Sequence, residues 1–342
     1  MEMTAARLAR LLTAVADVSF FCKQDSFAET LMNDKPDAIN CVPVNFSSRT
    51  FSLSMLLTVR RAVIDHKIKN VIFLGASELK TLHFAFLGLD INLVVWHGTT
   101  KSSPKRDVLH RLVYSSVKHH VTISEHLLKN IQQIVPLTDA VDFRLITPSQ
   151  EIDTSGVKVL DKTPGTINIL HIGRIADGKG QLDAIHATEQ AIAAGHNCRL
   201  VIIGENDGNP YARAVTTAIK NSRYKEQLIS PGFVDDIYSY LASADIFLFP
   251  SAGEGMPGSV VEALHFPLVC LAYDNTVFPE FSKMGFHFHI VENAAPDKLG
   301  QALLAICENL DNEKALAANN PALAKTVFDS EREIKQWMDV LV

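Results

Sequence analysis

No two of the five cysteines, Cys22, Cys41, Cys198, Cys270 and Cys307, are spaced C-x-x-C, and their number is odd. This excludes a disulfide-stapled scaffold and suits reduced thiols of a cytoplasmic protein, buried as small core residues. Long apolar runs are equally scarce. The longest, Leu82 to Trp96, is broken by Gly88, Asp90 and Asn92, and the opening MEMTAARLARLL carries Glu2, Arg7 and Arg10, so neither a membrane span nor a signal peptide is expected. An excess of positive charge is missing too: 32 Lys and Arg against 38 Asp and Glu leave a net charge of -6, which argues against nucleic acid as the main partner. Nor does any D-x-D triplet occur. No catalytic metal is therefore implied, and Glu205-Asn206-Asp207 reads as a polar loop after a strand.

What the chain does have is length and apolar content for two cores of ordinary domain size, with 342 residues and 47% hydrophobic composition. Short β-branched runs alternate with helical patterns, the rhythm of parallel sheets with crossover helices. Strands are predicted in the first half at 18–22, 40–46, 70–74, 92–97, 120–123 and 141–146, and helices at 53–66, 79–87, 106–117 and 125–135. In the second half strands fall at 167–172, 199–203, 227–230, 246–249, 268–272 and 287–291, with helices at 182–194, 211–221, 237–243, 259–265 and 299–308. The polar, turn-rich stretch DTSGVKVLDKTPGT, 153–166, reads as a linker between domains 1–152 and 167–329. Ile334, Trp337, Met338 and Leu341 recur at helical spacing, so 330–342 reads as an amphipathic terminal helix. Two doubly wound units joined in this way would face a central cleft with the carboxyl ends of both sheets, where ligands of such folds bind.

The most informative segment is Pro250 to Leu264, PSAGEGMPGSVVEAL, directly after the apolar run Ile246 to Phe249. It reads as buried strand, glycine-rich turn and helix start. Glu254 sits in the turn and Glu262 follows eight residues later in the helix. A Glu-x7-Glu spacing alone is expected by chance about once in a chain of this length, so the strand, the glycines and Pro257 carry the signal. A second strand-to-helix turn, His171-Ile172-Gly173-Arg174-Ile175-Ala176-Asp177-Gly178-Lys179-Gly180, sets two cations beside a flexible loop, the Arg fork and the Lys point charge both suited to diphosphate oxygens. In the first half, Val94-Val95-Trp96-His97-Gly98-Thr99-Thr100 ends a strand on a histidine and small hydroxyls. Beyond it, Lys101, Lys105, Arg106, Arg111, Lys118, His119 and His120 gather against a single acid, Asp107. Such a run is a solvated face or a place to dock anionic headgroups or a phosphate-linked acceptor.

Together these segments resemble the retaining GT-B glycosyltransferases of family 4, most strongly from Ile167 to Glu280. The resemblance implies an α/β fold of two Rossmann-like, doubly wound domains facing a cleft, with the terminal helix crossing back onto the first domain. It also implies a metal-independent hexosyltransferase that uses a nucleoside-diphosphate sugar and a glycan or lipid-linked acceptor in polysaccharide or lipopolysaccharide synthesis, cytoplasmic with peripheral contact at the inner membrane. On this resemblance Arg174 and Lys179 hold the diphosphate, Glu254 meets the donor sugar and Glu262 the ribose. Gly173, Gly255, Met256, Pro257 and Gly258 line the donor, and His97 positions donor and acceptor. The sequence departs from the family pattern in two places. Family members open with a strand and a Gly-Gly turn, whereas Met1-Glu2-Met3-Thr4 already starts a helix, which implies a first strand upstream or absent and low activity for the chain as it stands. Ile146-Thr147-Pro148-Ser149-Gln150 replaces the usual Asn-Gly turn. A non-catalytic subunit that binds nucleotide sugar, or a sugar-nucleotide epimerase on the same architecture, is the alternative expectation.

Overall fold

The computed structural model of the chain describes residues 2–33, 39–45, 51–75, 78–136 and 141–341. These form two units: Met1–Pro148 with Ser330–Val342, and Ser149–Asp329.

The second unit is built on six parallel strands. In chain order they are β7 (Ile167–Ile172), β8 (Cys198–Ile203), β9 (Leu228–Gly232), β10 (Ile246–Phe249), β11 (Val269–Asp274) and β12 (Phe288–Glu292), with the first unit holding β1 to β6. The spatial order β12-β11-β10-β7-β8-β9 reverses direction between β7 and β10, which makes the sheet doubly wound. The reason lies in the side-chain alternation of the central strands. Ile246 and Leu248 of β10 enter one core with Ile169, Leu200, Ile202, Val269 and Leu271, beneath the helices Gln181–Ala193 and Pro296–Glu308. Phe247 and Phe249 enter the opposite core with Leu170, Cys270 and Ala272, against the helices Ile237–Ser243, Gly258–Leu264 and Phe278–Lys283. A strand apolar on both faces needs helices on both, and the βαβ crossovers supply them.

The first unit is also parallel throughout. Among the described residues its strands β1 (Ser19–Lys23) and β2 (Asn40–Val44) pair as a sheet of two, and β3 (Asn70–Leu74), β4 (Asn92–His97), β5 (Val117–Thr122) and β6 (Asp142–Leu145) pair in sequence order as a sheet of four. The terminal helix Ser330–Leu341 packs in this unit. Buried Glu333 takes a bidentate pair from Arg7, Asn92 Nδ2 donates to Val340 O at 2.8 Å, and Trp337 is 1% exposed.

Two expectations shift. The stretch 153–166 is not a free connector: the Leu160 amide donates to Ser243 Oγ at 2.7 Å, Lys162 pairs with buried Asp245 at 3.3 Å, and Val157 packs on the second core. The units therefore part at 148/149. The helix predicted at 106–117 spans only Val108–Tyr114, capped by the Asp107 carboxylate on the His110 amide, because Val117 begins β5. Among the described residues no helix is long and apolar enough to cross a membrane.

Candidate donor site and the His97 strand end

In a parallel sheet all carboxyl ends share one edge, and three turns meet there in the second unit. The turn after β7 carries Gly173, Arg174, Lys179 and Gly180, and the turn after β10 carries Ser251 to Gly258. The turn after β11 adds Asn275 and Thr276. Gly180 has φ +79°, and a Cβ at that position would lie 2.0 Å from the Pro250 carbonyl oxygen, so only glycine lets the first two turns approach this closely. The Ala252 amide donates to Gly178 O at 2.8 Å, and Ser251 Oγ lies 3.0 Å from the same carbonyl. Asn275 Nδ2 donates to Ser251 O at 2.9 Å, and Thr276 Oγ1 receives the Glu254 amide at 3.0 Å.

This scaffold brings Lys179 and Glu254 into contact, Nζ to Oε1 at 2.5 Å, with Ser251 Oγ donating to the same oxygen at 2.8 Å. Arg174 is exposed, and among the described residues its guanidinium has no hydrogen-bond or ion-pair partner; its backbone is held by Gln181 Nε2 on Arg174 O at 3.1 Å. Glu262 lies in the helix Gly258–Leu264 and accepts from Gln150 Nε2 at 3.1 Å. Gly255 and Met256 are half-buried, Pro257 is buried and Gly258 exposed. Sequence reasoning missed Ser251, Thr276 and Gln150. Ser251 stood within the quoted motif, and the other two act across distances in sequence that spacing cannot reveal.

Burial raises the Glu262 carboxyl above its ordinary value of 4.5, against the opposing hydrogen bond from Gln150. The folded state thus holds this proton more tightly than the unfolded chain. Its contribution to stability is fully present below 4.5 and is lost as pH rises through the raised folded value. Relative to wild type, Glu262→Gln is accordingly expected to gain stability as pH climbs above 4.5, read from urea midpoints at successive pH values. A constant offset across that range would contradict the shift.

In the first unit, His97 ends β4 but is 2% exposed. Its Nε2 meets His120 Nδ1 at 2.8 Å, and the His120 ring stacks on Tyr114 and Phe143 at 5.6 and 5.2 Å. His120 therefore does not belong to the basic face read from the sequence: β5 turns it into the core. Burial, and then the charge of His119, pushes His120 down to about 4. Burial, then His120 and Lys101, pushes His97 well below its ordinary value. Both rings are neutral at pH 7, so one nitrogen of the contact donates and the other accepts. His97 Nδ1 is buried with no partner among the described residues.

A doubly wound unit with long turns at the strand-order reversal, preceded by a second parallel unit, defines the GT-B architecture. Residues 166–309 match the family described as Glycosyl transferases group 1. The amylovoran biosynthesis glycosyltransferase AmsK of Erwinia amylovora is 25% identical over 305 residues, 78% of this chain and 70% of that protein. A glycosyltransferase from Rickettsia africae superposes with TM-score 0.81 at 14% identity, covering 99% of this chain and 93% of the other. HepE of Anabaena, solved with UDP and glucose, superposes with TM-score 0.76 at 17% identity, covering 99% and 95%. The two solved structures share the fold. The chain has the GT-B fold, and residues 166–309 of its second unit match a Glycosyl transferases group 1 domain, which together with the likeness to AmsK supports a glycosyltransferase.

Proposed function

We infer that this protein moves a hexose-type sugar from a nucleoside-diphosphate sugar to a glycan or lipid-linked acceptor, with retention of anomeric configuration and without a metal, in the synthesis of a bacterial surface polysaccharide or lipopolysaccharide. The observation that carries this reading is the contact of Lys179 with Glu254 at 2.5 Å, which joins the turn suited to a diphosphate to the turn suited to a sugar. In this reading Arg174 and Lys179 bind the diphosphate, aided by Gly173. Glu254 and the backbone of Gly255, Met256, Pro257 and Gly258 face the sugar, and Glu262, held by Gln150, accepts from the ribose hydroxyls. His97 offers its unpartnered Nδ1 for positioning.

During transfer the bond from the anomeric carbon to the phosphate oxygen breaks, and its electron pair leaves with the nucleoside diphosphate. The acceptor hydroxyl oxygen bonds that carbon on the face just vacated, and its proton passes to the departing phosphate. The two carboxylates are not the flanking pair of a retaining glycosidase. The protein supplies placement and a positive field for the growing charge. AmsK, named for amylovoran synthesis, supports a polysaccharide acceptor, and HepE with UDP supports a nucleotide-sugar donor. Exposed Val108, Leu109 and Leu112 beside Arg106 and Arg111 support peripheral contact with an anionic membrane.

A panel of nucleotide sugars assayed for nucleoside-diphosphate release in chelator tests the reading. One donor is expected to stand out and to lose turnover in Arg174→Ala; no turnover with any donor, or turnover only with added metal, would contradict it.

A further inference from the structure

Away from the donor site, His287, His289 and Glu313 form the one group of three metal-ligating side chains found among the described residues. His287 precedes β12 and His289 is its second residue, so the two alternate onto the same face of the strand. Glu313 reaches them from the helix Leu310–Ala317. Both ring Nε2 atoms lie 2.7 Å from the same Glu313 oxygen, and the three ligand atoms fall within 4.8 Å of one another. The rings stand edge to face with centroids 4.9 Å apart, and both Nε2 atoms converge on Glu313 Oε2.

We propose that His287, His289 and Glu313 form a binding site for a divalent transition metal, zinc foremost, that clasps the helix Leu310–Ala317 to β12. Two imidazoles and a carboxylate are a recurrent zinc donor set, with a fourth position left to water. Tetrahedral bonds of about 2.0–2.1 Å place ligand atoms about 3.3 Å apart, so each Nε2–Oε2 separation needs to open by only about half an ångström. The backbone is already fixed for this. The amide of His287 donates to Asn320 Oδ1 at 2.9 Å, and Asn320 Nδ2 donates to His287 O at 3.1 Å. Side-chain exposures of 24%, 32% and 15% for His287, His289 and Glu313 leave the site within reach of a solvated ion. Soft thiolates are absent and the donors are nitrogen and oxygen, which favours Zn²⁺, Co²⁺ or Ni²⁺ over Mg²⁺.

The site lies at the amino end of β12, whereas the donor turns lie at the carboxyl ends of these parallel strands. The metal is therefore structural and separate from transfer. The same helix is also tied to the amino end of β10, where Lys314 meets Asp245 at 2.8 Å, so the clasp reinforces an edge already joined by a salt bridge.

The test is calorimetric titration of the full, tag-free chain with ZnCl₂, and with CoCl₂ for the visible absorption of tetrahedral cobalt. Wild type is expected to bind one ion and to melt higher in its presence. His289→Ala and Glu313→Gln should each weaken binding tenfold or more and lose the cobalt band, while His110→Ala, in the other unit, binds as wild type does. Should His289→Ala fail to fold, His289→Gln, which keeps a hydrogen-bonding side chain but ligates zinc poorly, carries the same comparison. Absence of one-to-one binding by wild type, or binding that the His289 and Glu313 substitutions leave unchanged, overturns the proposal.

Discussion

Lys179→Ala is expected to lower kcat/KM for sugar transfer by about 10²–10³-fold, the loss that follows removal of one preorganised donor to a developing negative charge. Lys179 sits between two glycines in left-handed conformation, Gly178 at φ +81° and Gly180 at φ +79°, so its backbone position is set by the turn rather than by the side chain. The substitution thus removes the ammonium without moving the loop. The charge on the leaving diphosphate is greatest in the transition state, so kcat should fall more than KM rises. Truncation also strips Glu254 of its cation, leaving Ser251 Oγ as the side-chain donor to Oε1. Steady-state kinetics on the donor chosen by the panel check this. A loss of less than about threefold would remove Lys179 from the reacting centre.

The second large effect separates the two glutamates. Glu254→Ala is expected to cut transfer far more than nucleoside-diphosphate affinity, because in the proposed function Glu254 contacts the sugar, which the diphosphate lacks. Glu262→Ala should weaken both. Loss of one charge-assisted hydrogen bond costs about 1.5–3 kcal/mol, or about 10–150-fold. Calorimetry with the nucleoside diphosphate and kinetics with the full donor read the two effects apart. Equal kinetics for wild type and Glu254→Ala would displace Glu254 from the site, and unchanged nucleotide affinity in Glu262→Ala would do the same for Glu262.

How much of this was legible in the sequence depended on whether the determining contact was local. The strands Asn70–Leu74, Asn92–His97, Ile167–Ile172 and Ile246–Phe249 occur at the predicted bounds because a parallel strand covered by helices writes itself as a short, mostly apolar run. The Lys179 and Glu254 turns were legible because each follows such a strand. What composition misread was the stretch 153–166. Its turn formers suggest a tether, yet a backbone amide at Leu160 and a charge at Lys162 bind it to Ser243 and Asp245. His120 was misread for a related reason. In a run of basic residues it looks solvated, but strand alternation sends His119 toward Asp142 and His120 into a stack with Tyr114 and Phe143. Gln150 stood out in the sequence only as part of a departing turn, with nothing to tie it to Glu262, 112 residues away. The chain departs from the Asn-Gly turn there, and the fold gives the substitute residue a partner.

The most direct test of the central claim, a metal-free nucleoside-diphosphate site built on Arg174, Lys179 and Glu262, is calorimetric titration of the full chain with nucleoside diphosphates in excess chelator, wild type beside Arg174→Ala. Arg174 is exposed and its guanidinium has no partner among the described residues, so its truncation leaves the fold intact and reports on the ligand alone. The account predicts one-to-one binding to wild type in chelator, weakened about tenfold or more by the substitution. Binding that appears only with magnesium or manganese, or that Arg174→Ala leaves unchanged, would contradict it.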